Sequence, residues 1–358
     1  MLVAQRARRV LGERVAIPLP VRGPEERGDH LQIPVGHVER LAPEVGETEV
    51  DVQLEQVDSG RALGHADKGR KRVGRHRLGV VGEIRFGPGG LPEAPSFEAA
   101  FAALAADGYR ACEIGFVSGF WLDYETAPLF AAAADAADVA LSVHAPLAAF
   151  MGHAERGKKF KMALGMLDHT AGLAQACGAR LIVFHPGFLL GREREQAIAD
   201  VVDQLGDLRD RLEAKGRLVP FGVEVMGRVR DLGTVEDVLA IAAQVDFVRP
   251  VLDFAHMHAT SDGAFLEADA FAAALAGADA VLEAEAPFHI HFSDIQYANR
   301  NETKHLPYGE GTLRAEPLGD ALARFERPAT VISEAPDAAS TQAIGAVLLG
   351  ASSASRSS

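Results

Sequence analysis

From about residue 83 onward the chain alternates two kinds of apolar pattern. Short runs of four to six aliphatic, β-branched and aromatic residues recur at 83–86, 111–116, 140–144, 180–185, 220–225, 249–253, 288–292 and 330–334. Between them lie longer, Ala-rich stretches with apolar positions three and four apart, at 96–107, 127–137, 157–176, 193–215, 235–244, 268–283, 318–325 and 341–349. The short runs fit strands and the long ones fit amphipathic helices, and Ser96, Thr234 and Ser340 stand where N-caps are wanted. Strand starts fall roughly 28 to 42 residues apart, which suits βα units joined by right-handed crossovers and therefore a parallel sheet. Eight such units predict an α/β fold, a (β/α)8 TIM barrel over residues 79–350. An open, doubly wound sheet is the alternative architecture, but it gathers ligands at one switch point rather than from nearly every strand.

The pattern stops short of the N-terminus. Residues 1–85 contain no Phe, Tyr, Trp or Cys, and a segment without aromatic anchors buries too little apolar surface to offset its chain entropy. Residues 1–78 are therefore expected to be a disordered or non-native N-terminal extension, with a start near Val80 or Val81 as the alternative, and 351–358 a flexible tail. Residues 1–80 hold 14 basic and 12 acidic side chains, which leaves 22 basic against 38 acidic in the body, a formal charge of −16. That balance argues against a broad basic nucleic-acid face. Cys112 and Cys177 both lie in apolar elements, so buried thiols are expected rather than a disulfide or a cysteine zinc site. No run approaches the roughly 18 apolar residues of a membrane span, and the expectation is a cytoplasmic monomer with no membrane association and no implied protein partner.

Ionisable residues concentrate where the strands end. His144, His185, Glu224, Asp253, His291 and Glu334 each close a strand, His256 and Asp294 follow closely, and His305 precedes the segment Leu306-Pro307-Tyr308-Gly309. In a barrel these ends share one mouth. Burying so many imidazoles and carboxylates without a cation would cost several kcal/mol each in desolvation and repulsion, so the pattern points to a metal centre. An imidazole-rich donor set favours zinc or manganese over magnesium. Tyr297, Arg300 and Lys304 lie in a long loop over the predicted mouth and are candidates for substrate contact. His258 and His289 are expected to play supporting roles, and His153, His169 and Lys158, Lys159 and Lys161 structural or solvated ones.

Taken in order, these phrases resemble the endonuclease IV family, within the wider xylose isomerase-like group of TIM barrels, over residues 83–340. The resemblance implies a first zinc on His144, His185 and Glu224. It implies a second on a bridging Glu224 with Asp253, His291 and Glu334, and a third on His256 and His305, with Glu224 and Glu334 as catalytic groups. It also implies cleavage of the phosphodiester 5′ to abasic sites in damaged DNA, leaving a 3′-hydroxyl. Two positions depart from the family. An aspartate is expected two residues before His305, where this chain has Thr303, so the third site is one carboxylate short unless Glu302, Asp294 or His258 replaces it. Leu147 stands where an aromatic is common. The competing readings are a sugar isomerase, epimerase or dehydratase of the same barrel group, and a non-catalytic metal-binding protein.

Because residues 1–78 supply no aromatic anchor, their removal is expected to leave the thermal unfolding midpoint and the activity unchanged. Loss of folded protein on truncation would show that the barrel leans on them.

Overall fold

A computed structural model describes residues 82–117 and 119–354; the predicted extension at 1–78 lies outside the described residues. Eight parallel strands form the sheet: β1 (Ile84–Pro88), β2 (Ala111–Gly115), β3 (Ala140–His144), β4 (Ile182–Phe184), β5 (Phe221–Glu224), β6 (Val248–Asp253), β7 (Phe288–Phe292) and β10 (Ala329–Ser333). They neighbour one another in chain order, and β1 pairs with β10. The remaining gap, between β1 and β2, is nearly closed: Arg110 N–H donates to Phe86 O at 2.8 Å, Gly90 N–H to Glu113 O at 2.7 Å, and Gly89 bridges Glu113. All eight predicted strands are present, and the barrel is the fold.

The described helices are α1 (Phe97–Ala106), α2 (Ala127–Ala136), α3 (Lys158–Ala176), α4 (Arg194–Glu213), α5 (Val235–Ala242), α6 (Phe254–Thr260), α7 (Ala268–Val281), α8 (Ala315–Leu322) and α9 (Ala338–Ala354). Ser96 caps α1 by accepting from Ala99 N–H, and Thr234 with Asp237 forms a capping box on α5. At α9 the start moves upstream: Ser340 N–H donates to Asp337 Oδ1 at 2.8 Å, so Ser340 lies inside the helix rather than capping it. That helix also runs to Ala354, past the boundary expected at 350. Three of the described elements are absent from the apolar pattern. Helix α6 follows β6 without a loop, and β8 (Asp294–Ala298) pairs antiparallel with β9 (Asn301–Leu306) as a hairpin where a loop was expected.

The strands are buried on both faces, as parallel barrel strands must be. Their period of two sorts side chains. Val143, Phe184, Val223, Leu252, Ile290 and Val331 join the core beneath the helices with Phe86, Phe101 and Phe130. Leu181, Val183 and Val251 form a separate small cluster inside the barrel. Residues sharing the inward parity, among them His144, His185, Glu224, Asp253, His291 and Glu334, stack above that layer at the strands' C-terminal ends. Both cysteines are free and buried.

Closure depends on Gly87, because a methyl group there would lie 1.7 Å from the carbonyl oxygen of Ala111. Backbone cannot yield as a side-chain tip can, so Gly87→Ala is expected to destabilise the fold by at least about 2–3 kcal/mol, measured by urea unfolding. An unchanged midpoint would mean that β1 and β2 part without cost.

Candidate metal centre

Three donor clusters meet at the barrel mouth. The first joins His144 at the end of β3, His185 just beyond β4 and Glu224 at the end of β5; Glu224 Oε2 lies 3.2 Å from His144 Nε2 and 3.0 Å from His185 Nε2. The second joins Glu224, Asp253, His291 and Glu334. Here the other oxygen of Glu224, Oε1, lies 2.8 Å from His291 Nδ1, which is also 3.3 Å from Glu334 Oε1. The Glu224 carboxylate is thus divided between two clusters. The third joins His256, Glu302 and His305, with His256 Nε2 2.8 Å from Glu302 Oε2, and Glu334 Oε2 approaches it at 4.0 Å from His305 Nε2.

The backbone aims these rings. His144 Nδ1–H donates to Ala145 O at 2.9 Å and His256 Nδ1–H to Val225 O at 2.8 Å, while His305 Nδ1 is 2.5 Å from the Ser293 hydroxyl. With Nδ1 so engaged, the lone pair of neutral His144 or His256 lies on Nε2 and faces a carboxylate oxygen. Two lone pairs face each other unless a proton or a cation lies between them. Protons serve in the cation-free protein. Burial lowers the proton affinity of His144, yet its bond to Glu224 outweighs this and holds the imidazole at about 9. Burial is likewise outweighed at His291 by Glu113, Glu334 and Glu224, and at His256 by Asp253 and Glu302, so both are held well above the usual histidine range. Glu224 stays ionised despite burial because His291, His144 and His185 surround it.

Asp253 shows the strain that remains. Burial, with the charges of Glu334 and Glu224, pushes its carboxyl up to about 6 against the pull of His256. Its Oδ1 caps α6 by accepting from His256 N–H at 2.8 Å, and its buried Oδ2 has no hydrogen-bond donor among the described residues. His256 Nδ1 lies 3.2 Å from Oδ2 but gives its hydrogen to Val225 O. Ligands about 2.1 Å from a tetrahedral cation sit about 3.4 Å apart, close to the spacings seen here. The orphan oxygen, the opposed lone pairs and the imidazole–carboxylate donor set all fit divalent cations of the zinc or manganese type.

Glu302 enters through a bulge. Gln296 pairs with Lys304 and Tyr297 with Glu302, so Thr303 is the extra residue on β9. The insertion resets the alternation and puts Glu302 on the same face as His305, with Ile295 and Tyr297 across from them. Glu302 N–H is tied to Gly227 O at 2.8 Å, and a methyl group at Gly227 would lie 2.5 Å from Glu302 Oε2. The other two replacements for the missing carboxylate are engaged elsewhere. Asp294 accepts from the N–H groups of Gly309, Gly311 and Leu313, and His258 Nε2 is 2.8 Å from Thr312 Oγ1.

The predicted substrate contacts fall on the hairpin. Tyr297 packs edge-on to His258, Arg300 Nε donates to Thr260 O at 2.6 Å, and exposed Lys304 lies on the face away from His305. Sequence reasoning missed Arg228, whose Nε lies 3.4 Å from Glu302 Oε1, and Glu113, which sits beneath the second cluster. A lone acid of inward parity in the apolar strand Ala-Cys-Glu-Ile-Gly was the available signal for Glu113.

A family model described as a xylose isomerase-like TIM barrel matches residues 101–348. The chain belongs to that family. An uncharacterized protein of Methanocaldococcus jannaschii is 29% identical over 254 residues, covering 70% of this chain and 91% of its own. The barrel is also similar to a 3-keto-D-glucoside 4-epimerase of E. coli in its apo form, at TM-score 0.57, 18% identity and 75% and 100% coverage of the two chains. It is similar as well to endonuclease IV of Thermus thermophilus, at TM-score 0.55, 17% identity and 75% and 98% coverage. At such identities the likeness to these two structures shows the fold, and the fold alone.

Deleting Thr303 would place Glu302 two residues before His305 on an unbulged strand, still on its face. The deletion is expected to keep the third metal-binding event, whereas Glu302→Ala weakens it at least about tenfold, both read by titration calorimetry of the full chain. Equal affinities in wild type and Glu302→Ala would remove Glu302 from the centre.

Proposed function

We propose that this protein is a metal-dependent phosphodiesterase that cleaves DNA 5′ to abasic sites. His144, His185 and Glu224 would hold one zinc or manganese ion, Glu224, Asp253, His291 and Glu334 a second, and His256, Glu302 and His305 a third. Bound there, divalent cations make a water nucleophilic at neutral pH and neutralise charge on the phosphate. The observation that carries this reading is the third cluster: moving a proton on a sugar requires one or two ions, and His256, Glu302 and His305 are surplus to that task.

The chain's own groups divide the work. Glu224 orients the first two positions with one oxygen each. Glu334, its side chain 26% exposed against 1% for Glu224, faces both His291 and His305 and is the base that takes the proton of the attacking water on its carboxylate. Arg228 offers terminal nitrogens beside Glu302 to an anionic substrate, and Tyr297 and Arg300, with Lys304 on the hairpin's other face, would contact the strand beyond the reacting phosphate.

A second reading, a sugar epimerase, is favoured by two observations: the acidic body, and the likeness to the E. coli epimerase. Incision assays on an abasic oligonucleotide beside a ketose panel, each with added zinc or manganese, separate the two. Incision leaving a 3′-hydroxyl is expected, and Glu224→Gln should lower its rate by about 10³-fold, since a neutral amide bridges two cations poorly. Epimerisation without incision would replace the phosphodiesterase reading by the second one.

A further inference from the structure

One layer below the second cluster, the barrel interior holds three polar side chains where aliphatic ones would fill the space. Glu113 on β2 accepts from Ser142 Oγ at 2.7 Å on Oε2, and the same oxygen is 3.1 Å from His289 Nε2 on β7. Its other oxygen, Oε1, lies 3.0 Å from His291 Nε2. The last approach is bent, an ion-pair contact rather than a linear hydrogen bond. All four residues are buried, and Glu113 is 3% exposed. A carboxylate so placed costs stability unless its charge serves a partner.

The partner is the far side of His291. Its Nδ1 faces Glu224 and Glu334, and its Nε2 faces Glu113. A ring with carboxylates on both nitrogens can present the Nδ1 lone pair to a cation only if Nε2 keeps the hydrogen, and a carboxylate at Nε2 enforces that tautomer while making Nδ1 more basic. Ser142 and His289 fix Glu113 in turn.

We propose that Glu113 is a positioning residue that sets the tautomer and donor strength of His291 from beneath the barrel mouth, a role that rests on the metal-centre reading above. Glu113 touches neither substrate nor cation in this arrangement. The same layer also contains donor atoms close enough to hold an ion itself, on Glu113, His289 and His291, and the experiment separates the two arrangements by stoichiometry.

The test uses the full chain, stripped of metal by a chelator and titrated with cobalt(II), whose visible absorption reports the ligand field. In Glu113→Gln one binding event should weaken about 10- to 100-fold with a shifted absorption band, while the others stay as in wild type. The metal-free thermal midpoint should fall, because protonated His291 loses a buried counter-charge, so the cobalt affinity and spectrum carry the test. Ser142→Ala should weaken the same event by a smaller factor, and it carries the test should Glu113→Gln not fold. A lowered midpoint with unchanged cobalt affinity and spectrum would mark Glu113 as structural and overturn the proposal. A fourth tight ion in wild type that is lost in Glu113→Gln would overturn it too, by making Glu113 a ligand. Failure of wild type to bind cobalt at all would remove the metal centre itself, and this inference with it.

Discussion

The arrangement of the barrel mouth follows from how one buried carboxylate is neutralised. Glu224 ends β5 with a side chain 1% exposed, and its two oxygens meet His144, His185 and His291 from three other strands. A lone carboxylate at such depth would cost several kcal/mol. Imidazoles offset that cost in two ways that use the same atoms: by carrying protons, or by lending lone pairs to a cation. Cation binding must then expel protons from His144, His256 and His291, so affinity rises with pH until the rings are neutral. Carbonyls, the Ser293 hydroxyl and Glu113 contact the far nitrogens of these rings and hold them in place.

Most of the barrel was legible because its two periods are clean. Strands buried on both faces read as short apolar runs, and a polar residue at the end of such a run has few explanations other than a shared mouth. What escaped did so for local reasons. Helix α6 continues from β6 with no polar or glycine punctuation, its cap being the strand's own last residue, Asp253. The hairpin's β9, Asn-Glu-Thr-Lys-His-Leu, is polar at five of its six positions, so no apolar run announces it. Glu302 was legible only as one of three candidates with Asp294 and His258, because strict alternation from His305 points to Thr303 and only the bulge brings the acid one residue earlier onto the ligand face. Glu113 stood in plain view, but an acid in mid-strand acquires meaning only when the barrel places His289 and His291 across from it.

The fold cannot choose between the two chemistries, since barrels of this group serve both and reactions reside in sites rather than in architectures. The choice falls to charge. A polyanionic duplex meets an acidic body whose field reaches only about 8–10 Å at ordinary salt, so long-range repulsion slows encounter more than it weakens contact. At contact, the number of clusters matters: the first two share Glu224, Glu334 and Asp253 lie between the second and the third, and the third includes residues of a hairpin outside the barrel, with Arg228 beside it. On the epimerase reading, a neutral sugar would leave the third cluster without a task. On the phosphodiesterase reading, the nucleophile, the non-bridging oxygens and the departing oxygen would together present negative charge to all three clusters. The bulge that brings Glu302 into the third cluster would therefore have a task on the phosphodiesterase reading, and none on the epimerase one.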